Sequence, residues 1–204
     1  MTTFYFVRHG KTELNIADSF QGSGADSPLL QEGIEQAGKL GKHLAGIAFD
    51  QVVVSTQKRA MDTANYILTE NHHLNGMTLQ YHDGLREIGF GEKEAMKVDF
   101  MNQQTKYLRE RPDLYDPSGF GGETYDELVA RGSAVISELE ERHPEGKVLV
   151  VAHGVLLIVL INYLSGQEKR NWRKNGPLEN TSLTILHKEG KHYTVDTFND
   201  ISYQ

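Results

Sequence analysis

A repeated handover constrains this chain more than any other feature: a short run of β-branched or aromatic residues passes directly into a helical pattern. Thr3 to Val7 reads as a first strand, Val52 to Val54 as a second and Lys147 to Val151 as a late one, all suited to a pleated, buried surface. Helical spacing follows two of them, as Arg59, Ala60, Thr63, Ala64, Ile67 and Leu68, and as the apolar stretch Val155 to Leu164. Ile34, Ala37, Gly38, Gly41, Leu44 and Ala45 mark another helix. Interior glycines cost roughly 1 kcal/mol each against Ala, so that helix implies close approach to a neighbour. Strands alternating with helices predict an α/β fold with a largely parallel sheet flanked by helices on both faces.

The remaining elements extend this plan. Thr78 to Tyr81 reads as a third strand, and Glu92 to Arg109 as a polar helix. Arg111 to Glu123 carries Pro112, Pro117 and glycines at 119, 121 and 122, which mark a loop. Residues from about 88 to 123 are therefore a candidate lid on a single domain spanning 1–204. Thr124 and Glu127 have capping-box spacing for a helix ending near Arg142, which Pro144 and Gly146 close. Leu183 to Leu186 and Tyr193 to Val195, around Glu189-Gly190, predict a C-terminal hairpin.

Composition excludes several function classes. The chain has no cysteine, which removes thiol nucleophiles, zinc ribbons, iron–sulfur clusters and disulfide frameworks, and makes the cytoplasm the default location. The N-terminus has no basic leader, and its apolar stretch Phe4 to Val7 is too short for a signal sequence. Val148 to Leu164, the most apolar region, falls short of the roughly 20 residues that span a membrane. With a net charge of −7 and scattered Lys and Arg, nothing resembles the basic stripe of a nucleic-acid binder. An anionic ligand needs a locally positive site. His43, His72, His73, His82, His143, His187 and His192 show no metal-site spacing; His72 and His73 are adjacent, which points them apart. Gly33 to Lys39 imitates a phosphate-binding loop, but Leu40 replaces the needed Ser or Thr and the run lies inside a helical pattern. Trp172, with Arg170, Arg173 and Lys174, reads as a solvated basic patch.

In open α/β sheets, ligands sit beyond the carboxyl ends of the strands. There the chain places Arg8-His9-Gly10, then Ser55 with Arg59 one turn on, then His153-Gly154. Two imidazoles and two guanidiniums at one sheet edge form a site for an oxyanion, because Arg offers a planar fork of donors matched to phosphate. Helix starts beside Ser55 and Gly154 add N–H groups and positive dipole ends.

The pattern Arg8-His9-Gly10-x-Thr12-x-x-Asn15, Gln21-Gly22, Ser55-x-x-x-Arg59-Ala60-x-x-Thr63-Ala64, Leu85-Arg86-Glu87, Gly122-Glu123-Thr124 and Ala152-His153-Gly154 resembles the histidine phosphatase superfamily, the phosphoglycerate mutase-like proteins. The resemblance covers nearly the whole chain in the family's order. It implies that His9 is the nucleophile, that Arg8, Arg59 and His153 bind the phosphoryl oxygens, that Asn15, Gln21 and Gly22 complete the pocket, and that Glu87 is the proton donor. It implies no metal and no cofactor. Where family members often show Trp-Glu-Gly after the glutamate motif, this chain has Gly91-Glu92-Lys93-Glu94-Ala95.

The chemistry supports these roles. Imidazole attacks phosphorus only with a free ring lone pair, and at an unperturbed pKa of about 6.5 it is mostly neutral at pH 7. Two arginines favour the neutral ring further and stabilise the equatorial oxygens without magnesium. Glu87 must carry a proton to act as acid, which burial beside a bound phosphate dianion favours; activity should therefore fall on the alkaline side. The expected function is hydrolysis of small phosphate monoesters through a phosphohistidine at His9. Two alternatives are a phosphoglycerate mutase primed by 2,3-bisphosphoglycerate, disfavoured because the stretch 92–123 lacks that subgroup's longer insertion, and a phosphate-ligand binding module without turnover. Arg109 and Arg111 are candidate contacts for a second anionic group. Oligomeric state is not legible.

Overall fold

Alternation along each strand decides where the core forms. In β1 (Thr2–Arg8), Phe4 and Phe6 face one side and Tyr5 and Val7 the other; in β4 (Lys147–Ala152), Val148 and Val150 oppose Leu149 and Val151. Both faces are apolar, so both must be covered. The computed structural model describes residues 1–71, 73 and 77–204, and His72 lies outside them. β2 (Gln51–Ser55), β3 (Gln80–His82), β5 (Leu183–Glu189) and β6 (His192–Asp200) complete a sheet of order β3-β2-β4-β1-β5-β6. The first four positions run parallel, and β5 and β6 add an antiparallel edge joined at Gly190, whose φ is +59°.

Helices α2 (Gln31–His43) and α3 (Lys58–Glu70) cover one face; α5 (Tyr125–Arg142) and α6 (Gly154–Leu164) cover the other. α6 is buried from Leu156 to Asn162, which explains its unbroken apolar run without a membrane. No helix among the described residues is long and apolar enough to cross one. Thr124 and Glu127 close the expected capping box on α5. Gly41 is needed where it stands: a Cβ there would collide with the Ile67 carbonyl of α3. Gly38, by contrast, only meets Glu70 at ordinary contact distance. The phosphate-loop imitation lies within α2, as the pattern indicated.

The expected helix from Glu92 to Arg109 is largely absent. Gly91–Lys93 forms a single 3-10 turn, and only α4 (Gln103–Glu110) is helical. The cause is long-range pairing. Ala95 N–H donates to Phe20 (2.8 Å), Phe20 N–H to Met96 (2.9 Å), and the Glu94 carboxylate accepts from the N–H groups of Gly22, Gly24 and Phe90. These bonds pull the backbone away from local helical partners. Ala95 sits at φ 62°, a left-handed conformation that favours glycine.

Candidate active site

The sheet order makes the site. β1 runs out past β4 to β2, and the chain later returns to insert β4 between them, so the crevice beyond β1 and β4 is a topological switch point. Arg8 pairs with Ala152 in register, and His9 N–H donates to the Ala152 carbonyl at 2.9 Å. The next residue of each strand is a histidine. Parallel neighbours roughly 4.8 Å apart thus bring the rings of His9 and His153 to 5.3 Å between centroids.

Both rings are buried, at 3 % and 0 % exposure. His9 Nδ1 lies 2.7 Å from the Gly10 carbonyl, which can only accept, so Nδ1 carries the proton and Nε2 keeps a lone pair. Burial, then the charges of Arg59 and Arg8, hold His9 well below the ordinary imidazole value, against the opposite pull of the Gly10 hydrogen bond. Burial, Arg59 and His9 do the same to His153. The Ser55 hydroxyl lies 2.7 Å from His153 Nε2.

Arg8 donates Nη1 to the Leu178 carbonyl and packs on Gly154, where a Cβ would stand 3.0 Å from its Nε. Burial pushes its pKa down to about 10, which still leaves it charged at neutral pH. Arg59 is fully buried; it grips the 21–26 loop through the carbonyls of Ala25, Gln21 and Gly22 and an ion pair with Asp26 at 3.2 Å. Arg8 Nε, Arg59 Nε, His153 Nδ1 and Gln21 Nε2 are buried polar nitrogens with no partner among the described residues. Unpaired buried polar groups are rare and costly, and these belong to residues that line the cavity (Arg8, Gln21) or act on the His9 ring (Arg59, His153), which marks a place for an acceptor.

Arg8, His9, Asn15, Gln21 and Glu87 line one cavity of about 230 Å3. Arg59, His153 and Gly22 are not among the residues that line it. Asn15 also has the plain role of closing a capping box with Thr12 on the one-turn helix α1 (Glu13–Ile16). Gly22 cannot be replaced without a clash, since a Cβ would strike the Ile88 carbonyl and the Phe90 ring. Glu87, 5 % exposed, sits at the N-terminus of α6 and accepts from the N–H groups of Ile88, Val155 and Leu156, each at 2.9 Å. Oε1 accepts two of these bonds and Oε2 only one, which leaves Oε2 a lone pair for a proton.

Several residues here carried no sequence signal. Gln57 joins the Gly22 carbonyl to Glu87 N–H; its place between Ser55 and Arg59 could have exposed it. Asn180 donates to the His9 carbonyl and to Asn15. Arg131 binds Glu123 and the carbonyls of Gly84, Arg86 and Glu87, fixing the segment that carries Glu87. Two readings are corrected. Arg170 and Lys174 are exposed, as a solvated basic patch requires, but Trp172 is buried and Arg173 lines the cavity, so Arg173 does not belong to that patch. Arg109 also lines the cavity, whereas Arg111 pairs with Asp113 and does not.

Such a pocket, at the carboxyl edge of an α/β sheet, belongs to the class of sites that hold oxyanions. The model of the histidine phosphatase superfamily (branch 1) matches residues 4–201. An uncharacterized phosphatase, PhoE, of Bacillus subtilis is 33 % identical over 166 residues, covering 81 % of this chain and 79 % of its own. Fructose-2,6-bisphosphatase TIGAR B of Danio rerio is 33 % identical over 136 residues, 67 % of this chain but only 52 % of its own, so the chain spans about half the length of that relative. The solved structure of Bacillus stearothermophilus YhfR superposes with a TM-score of 0.88 at 30 % identity, covering 100 % and 99 % of the two chains. The chain belongs to the histidine phosphatase superfamily, and it is a histidine phosphatase, a phosphoric monoester hydrolase.

Proposed function

We propose that the protein hydrolyses small phosphate monoesters through a phosphohistidine at His9. The observation that carries this reading is the His9 ring itself: Nδ1 is committed to the Gly10 carbonyl, Nε2 is free to attack, and buried nitrogens without partners surround it. Nε2 bonds to phosphorus as the ester P–O bond breaks. Arg8, Arg59 and His153 hold the equatorial oxygens, where charge accumulates, and Asn15, Gln21 and Gly22 complete the cradle. Glu87 gives its proton to the leaving oxygen, then takes one from the water that attacks phosphohistidine, which restores the ring. The stretch 88–123 supplies Phe90, Val98, Thr105, Leu108 and Arg109 to the cavity wall, which supports its reading as a lid on a single domain. The cytoplasm, a small-molecule phosphate ester as partner and the absence of nucleic-acid and membrane binding belong to the same reading.

The test is direct. Radiolabelled phosphate from an ester should appear on the protein, stable in base and labile in acid, and be absent in His9→Ala. Base-labile label, or label that persists in His9→Ala, refutes the assignment. Assaying sugar phosphates and phosphoglycerates for released phosphate against isomerised product separates hydrolysis from mutase action.

A further inference from the structure

The cavity at His9 has a second charged feature. Apart from Arg8, the cations on its wall are Arg109 and Arg173, set among Phe20, Phe90, Val98 and Leu108. Both also line an adjoining hollow of about 510 Å3, so they stand at the junction of the two spaces. That hollow adds Arg170 and Lys174 against a single carboxylate, Glu110, in a chain whose net charge is −7. Arg170 is engaged with Glu168 at 3.4 Å. Arg109 lies over the Phe100 ring at 5.1 Å and has no ion pair among the described residues. Arg173 is the more telling group, because its Nε and Nη1 are buried with no partner among the described residues. Leaving a guanidinium so placed is costly unless a ligand supplies the acceptor.

We propose that Arg173 and Arg109 form a second anion subsite, so that the preferred substrate is a phosphomonoester whose far end carries a carboxylate or a second phosphate. The proposal rests on the reading of His9 as the phosphoryl acceptor. A cavity of about 230 Å3 is smaller than the roughly 300 to 1,000 Å3 of pockets for drug-sized ligands, which suits a substrate of a few carbons. Arg173 meets the distal anion as a planar fork, and Arg109, stacked on Phe100, meets it from α4.

Matched esters test this. 3-Phosphoglycerate against glycerol 3-phosphate, and 6-phosphogluconate against sorbitol 6-phosphate, differ by one carboxylate at two chain lengths; fructose 1,6-bisphosphate against fructose 6-phosphate adds a phosphate instead. We expect kcat/KM to favour the doubly anionic member of at least one pair by about tenfold or more. That ratio should fall toward one in Arg173→Met and return in part in Arg173→Lys, which a mere packing role would not produce. No preference in any pair, or a preference that Arg173→Met leaves intact, overturns the subsite. If the wild type hydrolyses none of these esters, the His9 reading fails separately. Calorimetric binding to His9→Ala, shown folded by its thermal transition, or to the inactive wild type, then decides: equal affinity within every pair overturns the subsite, and tighter binding of the doubly anionic member upholds it.

Discussion

Acidification should destabilise this protein through the two rings that make its site. His9 and His153 lie 5.3 Å apart, buried beside Arg8 and Arg59, and both are held well below the ordinary imidazole value. In the unfolded chain each titrates near a pKa of about 6.5. A histidine depressed on folding contributes stability that is complete above that value and is lost as pH falls toward the folded one, because the unfolded state binds more protons. Between pH 7.5 and 5.5 the loss is about 1.4 kcal/mol for a ring that stays neutral in the fold, hence about 2.7 kcal/mol for both. That is a sizeable part of the roughly 5 to 15 kcal/mol of a typical domain. Urea unfolding of wild type, His9→Gln and His153→Gln at the two pH values, extrapolated to water, isolates the effect, since the other ionisable groups cancel between variants. Each substitution should remove about 1.4 kcal/mol of the pH dependence. A variant as pH-dependent as the wild type would show that the missing ring was already protonated in the fold, and the neutral-nucleophile argument would fail.

Other expectations follow from the loops around the site. Ala95→Gly relieves a left-handed residue, a cost of about 1 to 2 kcal/mol, offset by roughly 0.4 to 1 kcal/mol of unfolded-chain entropy; a rise in Tm of about 2 °C is expected, and no rise refutes strain there. Gly22→Ala forces a methyl into the Ile88 carbonyl and should cost about 1 to 3 kcal/mol in urea unfolding. Arg131→Met frees the segment bearing Glu87, so kcat should fall roughly tenfold to a hundredfold with KM little changed, and Arg131→Lys should recover part of the loss.

What could be read from the chain depended on whether its cause was local. β1, β2 and β4, helices α3, α5 and α6 and the terminal hairpin showed themselves through periodicity and caps, which act over a few residues. The carboxyl-edge rule pointed to His9, Arg8, Arg59 and His153; Arg8 and His9 line the cavity, and the His153 ring lies beside that of His9. The stretch 92–102 failed because Glu94 and Ala95 bond to residues 20–24, a partnership that no local pattern records. Arg173 looked solvated because its neighbours are basic; burial of Trp172, with its ring N–H donating to the Gln167 carbonyl, turns it inward. Asn180 and Arg131 act on backbone carbonyls, and such contacts leave no signature in residue type.

The in-register neighbours β1 (Thr2–Arg8) and β4 (Lys147–Ala152) are far apart along the chain, so the imidazole pair cannot exist in any early fragment. During synthesis the first histidine leaves the ribosome long before the second. Nascent chains should therefore stay chemically silent until the returning strand slots into the gap beside the first. Closing so long a loop is entropically slow, which ties the birth of activity to the docking of that strand.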